Sequence, residues 1–158
     1  IESRLGLVQD EQLLSEIFSA YKVDTIFHTA AYKHVPLVES NVFPAIKNNV
    51  FATSTLIRLA MDHKVKNFTL ISSDKAVRPT NIMGATKRVT ELICQSAAQL
   101  DSNTNFTIVR FGNVIGSSGS VLPLFKEQIE KGGPVTVTHR EIVRYFMAIS
   151  EAAQLVIQ

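Results

Sequence analysis

Three short runs, 24–30 (DTIFHTA), 67–72 (NFTLIS) and 105–111 (NFTIVRF), alternate with longer stretches of helical periodicity. Each run is rich in apolar, β-branched or aromatic residues. Each therefore reads as a strand covered on both faces. Helical patterns run from about Asp10 to Ala20, Phe43 to Asp62 and Ile82 to Leu100, then from about Leu122 to Lys131 and onward from near Ser150. Strands separated by helices imply a parallel sheet with right-handed crossovers, an α/β architecture with flanking helices. No internal repeat or low-complexity segment interrupts the pattern. In such a sheet the loops leaving the C-terminal ends of the strands share one edge, and ligands bind there.

Composition narrows the class further. The 158 residues, 46% hydrophobic and 19% charged, suffice for one core without disulfides or metals and argue against disorder. The net charge of +2 is spread along the chain, so no basic stripe marks a nucleic-acid partner. Cys94 is the single cysteine, and the four histidines have no metal-ligand spacing, so no metal site is expected and a reduced, cytoplasmic setting is. No apolar run approaches the roughly 18 residues of a membrane span, and no signal peptide is expected. The chain opens on Ile1 and both ends read as cut within an element, so a longer parent protein is expected.

Three strand-end loops hold the candidate chemistry: 31–36 (AYKHVP), 73–79 (SDKAVRP) and 112–120 (GNVIGSSGS). Asp74 and Lys75 follow two serines at the end of the central strand and supply a carboxylate beside an ammonium. Alone, the same pair also reads as a solvated turn. Met83 and Lys87 lie four residues apart on one helix face, and Val89, Leu92, Ile93 and Leu100 mark a largely opposite side, read as the buried one. On that reading Lys87 projects away from the core and reaches the sheet edge, or is simply a solubilising lysine beside Arg88. Met83 also reads as a gap filler at the core edge. The glycines at 112, 116 and 119 suit a flexible lid or a substrate-diphosphate loop better than a dinucleotide turn. His28 reads as a satisfied core histidine, His63 as a solvated helix end and Cys94 as inert packing.

Taken together, these segments resemble the extended short-chain dehydrogenase/reductase superfamily, and within it the polysaccharide-biosynthesis branch of UDP-N-acetylglucosamine 4,6-dehydratases. The resemblance rests on 27–39 (FHTAAYKHVPLVE), 46–51 (IKNNVF), 71–88 (ISSDKAVRPTNIMGATKR), 110–114 (RFGNV), 137–139 (VTH) and 144–147 (RYFM), and it runs over nearly the whole chain. It implies a Rossmann-like sheet, bound NAD rather than NADP, and a UDP-sugar substrate. In that chemistry a hydride leaves sugar C4, water is lost across C5 and C6, and the hydride returns to C6.

The resemblance also implies roles. Ser73, Asp74 and Lys75 would form the catalytic set, with Asp74 protonating the departing C6 hydroxyl and Lys75 removing the C5 proton. Lys87 would hold the nicotinamide ribose. Met83 stands where the superfamily usually has a tyrosine base. Methionine takes no proton, and the larger membrane-anchored members share this Met-x-x-x-Lys pattern. Cofactor contacts would come from Ala30, Ala31, Asn49, Ser72 and Lys87. Substrate contacts would come from Lys33, Asn113, Ser120, Val121 and Arg144, within a loop from Gly116 to Val121.

The same resemblance divides the chain into 1–115, the later part of an NAD-binding domain, and 116–158, the start of a substrate-binding portion. The Gly-rich turn, first helix and second strand would precede Ile1, so these residues alone are expected to bind NAD poorly and to be inactive. A homo-oligomer is implied, as is a cytoplasmic parent at the inner face of a bacterial membrane. Two rivals stay open: a UDP-sugar epimerase on the same scaffold, and a non-catalytic truncated module.

Overall fold

The computed structural model describes residues 1–100, 103–117, 120–137 and 139–158. Ser118, Gly119 and Thr138, expected in the substrate loop and the 137–139 motif, lie outside the described residues. The chain forms two compact units, residues 1–110 and 111–158.

The first unit runs α1 (Glu11–Ala20), β1 (Thr25–His28), α2 (Val35–Ser40), α3 (Val42–Ile46), α4 (Ala52–Asp62), β2 (Asn67–Ser73), α5 (Ile82–Leu100) and β3 (Asn105–Phe111), whose last residue opens the second unit. The sheet order is β1–β2–β3, with β1 and β2 parallel in the register Thr25↔Asn67 to His28↔Leu70. Asp10 starts α1 by accepting the Leu13 amide at 3.0 Å. Phe18, Leu56, Ile57, Leu59, Ala60, Val65, Phe68, Leu70, Cys94 and Ala97 form one core joining α1, α4 and α5 to β2. Phe68 and Leu70 on one face and Thr69 on the other are all buried, so this strand is covered on both faces.

Several expectations need correction. The stretch expected as one helix from Phe43 to Asp62 contains a π-helical turn, Lys47–Phe51, between α3 and α4. The loop expected through Pro36 ends earlier, because α2 begins at Val35 with Pro36 in its first turn, a position where proline's missing N–H costs nothing. The faces of α5 are reversed. Val89 and Leu92 are 41% and 48% exposed, whereas Lys87 and Glu91 are 8% and 0% exposed. Ile93 alone of the apolar set packs against the core. Polar partners inside the fold satisfy the two buried charges, and this outweighs the apolar periodicity.

The second unit contains β4 (Asn113–Val114) paired in parallel with β5 (Phe146–Met147), together with α6 (Val121–Glu130) and α7 (Ile149–Ile157). Glu151 reaches back to the Ala148 amide at 2.6 Å and fixes the start of α7. Among the described residues no helix is long and apolar enough to cross a membrane, and no cluster of His, Cys, Asp and Glu could hold a metal.

Candidate functional site

The C-terminal end of β2 turns directly into a single 3₁₀ turn, Asp74–Ala76. Ser73 caps it by accepting the Lys75 amide at 3.2 Å, and its hydroxyl donates to Asp74 Oδ1 at 2.9 Å. Lys75 Nζ donates to the same oxygen at 3.0 Å. Ser73 and Lys75 thus converge on one carboxylate oxygen of Asp74. Partial burial raises the Asp74 carboxyl, but the hydrogen bonds from Lys75 and Ser73 and the Lys75 charge outweigh it, holding Asp74 below the ordinary carboxylate range. The resting pair is a carboxylate with an ammonium donor.

The first turn of α5 lies against this turn. Asn81 Oδ1 accepts the Gly84 amide at 2.8 Å, and Glu39 from α2 accepts the Ile82 amide at 2.6 Å, so two of the helix's free donors are already used. One turn further on, Lys87 crosses to β2 and donates to the Ile71 carbonyl at 2.5 Å. Burial brings its ammonium down to about 8, with Glu91 opposing the shift. The α5 reversal described above is what delivers this lysine to the end of β2.

Met83 sits in a small apolar cluster with Val38 and Ala45, flanked by Val35 and Ile82. It is 4% exposed, so its thioether packs this corner. Asn49 is equally enclosed, and its carboxamide is fully used. Oδ1 accepts from the Tyr32 amide at 2.7 Å and from Asn48 at 3.0 Å, while Nδ2 donates to the Tyr32 carbonyl and to Thr86 Oγ1, both at 3.0 Å. Asn49 therefore clamps the loop after β1 to α5. Ser72 is buried with its hydroxyl turned to Glu91 at 2.6 Å. Ala30 and Lys33 are exposed and Ala31 half-buried in the loop after β1.

His28 is buried as expected, its Nε2 2.8 Å from Thr53 Oγ1. The Thr53 hydroxyl spends its one hydrogen on the Asn49 carbonyl at 2.6 Å, so Nε2 carries the proton. Burial, then the Lys87 charge, lowers this ring to about 4 and keeps it neutral. Cys94 is fully buried and pushed up to about 11 by burial and the Glu91 charge, as suits inert packing. His63 is exposed at the end of α4, with its ring 5.1 Å from Phe18.

In the second unit Asn113 is half-buried on β4, Val121 begins α6 and Arg144 is exposed, donating to the Val143 carbonyl. Ser120 stands at the α6 N-cap with its Oγ buried and without a hydrogen-bond partner among the described residues. Sequence reasoning missed Glu91 altogether. Its only signal was its place four residues after Lys87, on the same helix face.

A parallel sheet flanked by helices defines the class: a Rossmann-like α/β protein. Residues 1–158 match the polysaccharide biosynthesis protein family, and the chain belongs to that family. It is 52% identical over 151 residues to the capsular polysaccharide biosynthesis protein CapD of Staphylococcus aureus, covering 96% of this chain and 25% of CapD. It is 34% identical over 156 residues to an inverting UDP-N-acetylglucosamine 4,6-dehydratase of Campylobacter jejuni, covering 97% of this chain and 46% of that enzyme. The crystal structure of Pen from Bacillus thuringiensis superposes with a TM-score of 0.90 at 41% identity, over 99% of this chain and 50% of Pen. UDP-glucose 4-epimerases of Rickettsia also match, at 37% identity for Rickettsia canadensis. NAD-bound dehydratase and epimerase structures share the fold at 22% and 18% identity. The chain spans between a quarter and about half the length of these curated relatives.

Proposed function

We propose that the full-length protein carrying this chain is an NAD-dependent 4,6-dehydratase of a UDP-N-acetylhexosamine. The observation that supports it most directly is the Asp74–Lys75 pair, 3.0 Å apart at the end of the central strand. Loss of a hydroxyl group needs a proton donor at the leaving oxygen and a base at the neighbouring carbon acid. The resting ion pair holds its proton on the wrong partner for both tasks. A sugar that excludes water penalises both charges, and moving one proton along the Lys75 Nζ to Asp74 Oδ1 hydrogen bond leaves a neutral amine and a neutral acid. Lys75 then takes the C5 proton and Asp74 protonates the C6 oxygen. The C5–H and C6–O bonds break, a C5–C6 double bond forms, one water leaves, and the ammonium–carboxylate pair is restored.

NAD, when bound, supplies the hydride acceptor that makes C4 a ketone and so acidifies C5. The residues present fit its ribose end. The Lys87 ammonium has three donors, of which the structure shows one on Ile71, and the other two suit a vicinal diol. Ala30 and Ala31 lie in the loop that would flank the dinucleotide. Asn49 and Ser72, both turned inward, would support the site through the Tyr32 loop and through Glu91. Lys33, Asn113, Ser120, Val121 and Arg144 belong to this reading as individual substrate contacts, and the Ser120 hydroxyl, buried without a partner among the described residues, favours one for Ser120. Met83 contributes packing on this reading, so the proton of the C4 hydroxyl leaves by another group.

The test is mass spectrometry of UDP-N-acetylglucosamine incubated with NAD and the full-length protein. Loss of one water is expected, and Asp74→Asn should cut its rate by about 10²–10⁴-fold. An unchanged mass with a new C4 epimer would move the reading to the epimerase, which the similarity to the Rickettsia enzymes favours. No turnover would leave the non-catalytic module.

A further inference from the structure

Glu91 has no exposed surface, yet its carboxylate is ionised. Four hydrogen bonds hold it: from Ser72 Oγ at 2.6 Å, Arg110 Nε at 2.7 Å, Arg110 Nη2 at 2.5 Å and Arg88 Nη1 at 3.0 Å. The two arginine side chains are 38% and 41% exposed, so their guanidinium groups close over the carboxylate from the solvent side. Apolar residues fill such a position at less cost, so a buried ionic hub is better suited to fixing geometry than to adding stability.

What this hub fixes is specific. Ser72 stands immediately before Ser73, Asp74 and Lys75. The carbonyl on its other side, at Ile71, receives Lys87. Lys87 is one turn before Glu91 on the same buried face of α5. Arg110 is the last residue of the first unit, and the chain enters the second unit at Phe111.

We propose that Glu91 is a positioning residue for the elimination, binding Ser72 and Arg110 together so that the end of β2, the end of β3 and the Lys87 face of α5 keep one arrangement. The proposal rests on the dehydratase reading. It is also electrostatic, since Glu91 is the anion that offsets the burial of Lys87. The other titratable groups nearby are His28 on β1, which stays neutral, Arg88 on α5, Arg110 on β3, and Cys94 on α5, which burial and the Glu91 charge keep a thiol. Asp74 and Lys75 form their own pair on the adjoining turn.

Glu91→Gln in the full-length protein tests this with two readouts. In water loss from UDP-N-acetylglucosamine, kcat should fall roughly ten- to a hundred-fold while KM stays within about a factor of two. In NMR of ¹³Cε-labelled lysines, with the Lys87 signal assigned by Lys87→Arg, the midpoint should move below its parental value near 8, because an anion is lost while both arginines remain. A folded Glu91→Gln protein with parental kcat, with its loss confined to KM, or with an unmoved Lys87 midpoint would overturn the proposal. Should Glu91→Gln not fold, Arg110→Lys keeps the charge and loses the fork. There kcat should fall several-fold, and a parental value would overturn the proposal. If the parent itself releases no water, the dehydratase reading fails separately, and the Lys87 titration still decides the link to Glu91.

Discussion

Gly84 carries no functional group, yet the position of Lys75 depends on it. A Cβ at this glycine would lie 2.2 Å from the Lys75 carbonyl oxygen, 3.1 Å from its carbon and 3.2 Å from Pro79 Cβ. The nearest obstacle is backbone, so it does not swing aside as a flexible side chain would. Local propensity pulls the other way, since alanine is the better helix former by about 1 kcal/mol. The contact decides the sign. Gly84→Ala should cost about 1–3 kcal/mol, the usual range for overpacking, and should reduce turnover because the 3₁₀ turn is pushed off α5. Denaturant unfolding with steady-state turnover checks both, and a variant of equal or higher stability with parental turnover would refute the close approach. Residue by residue, the neighbouring carboxylate and ammonium were visible in SDK, although the pair alone reads equally as a solvated turn. Its seat was not, because whether a glycine is needed for contact depends on what packs against it.

Among the elements, those whose signal is local match their expected span. Asn105–Phe111 and Ile82–Leu100 coincide with the sequence reading, because a dense β-branched run and a long uninterrupted helical stretch announce themselves. The β4–β5 pair was not legible, since two-residue strands have no periodicity. The orientation of α5 was misread because Lys87 and Glu91 find partners on β2 and β3 that are distant in sequence. The π-helical turn at Lys47–Phe51 was equally hidden, as KNNVF contains no glycine or proline to mark it. That turn presents Asn49 to both backbone polar groups of Tyr32. Removing the carboxamide should leave these two groups without their partner, at about 1–3 kcal/mol, while Thr86 keeps its bond to the Met83 carbonyl. Asn49→Ala is therefore expected to destabilise the protein by that amount and to speed hydrogen exchange of the Tyr32 amide by tenfold or more. Unfolding and exchange at Tyr32 that match the parent would show that the loop is held by something else. Asn49→Asp should be worse than Asn49→Ala, because a carboxylate oxygen would then face the Tyr32 carbonyl.

For the whole molecule, four buried titratable groups set how stability changes with pH. His28 is held at about 4, below its ordinary 6.5, so the stability it contributes is complete above 6.5 and is lost as pH falls through 4. For Glu91, burial opposes the shift, but hydrogen bonds from Arg110, Ser72 and Arg88 outweigh it and bring the carboxyl from 4.5 to about 2. Its contribution is lost lower still, between those values. Lys87, at about 8 against 10.5, loses its contribution as pH falls from 10.5 to 8. Cys94, at about 11 against 9, acts in the opposite sense and loses its contribution as pH rises from 9 to 11. Between pH 9 and 10.5 the last two largely offset each other. On the acid side His28 and Glu91 act in the same direction in successive windows. Stability should therefore rise by about 1 kcal/mol from pH 7 to 9, where Lys87 acts ahead of Cys94, and fall in two steps below 6.5. Between pH 7 and 5 the His28 step amounts to about 2 kcal/mol. His28→Gln, which keeps a donor for Thr53 and cannot charge, should flatten the curve between pH 7 and 5 and leave the fall below 4.5 in place. Guanidinium unfolding at pH 7, 5 and 4 separates the two steps. Equal losses in parent and variant between pH 7 and 5 would mean that another group carries the first step.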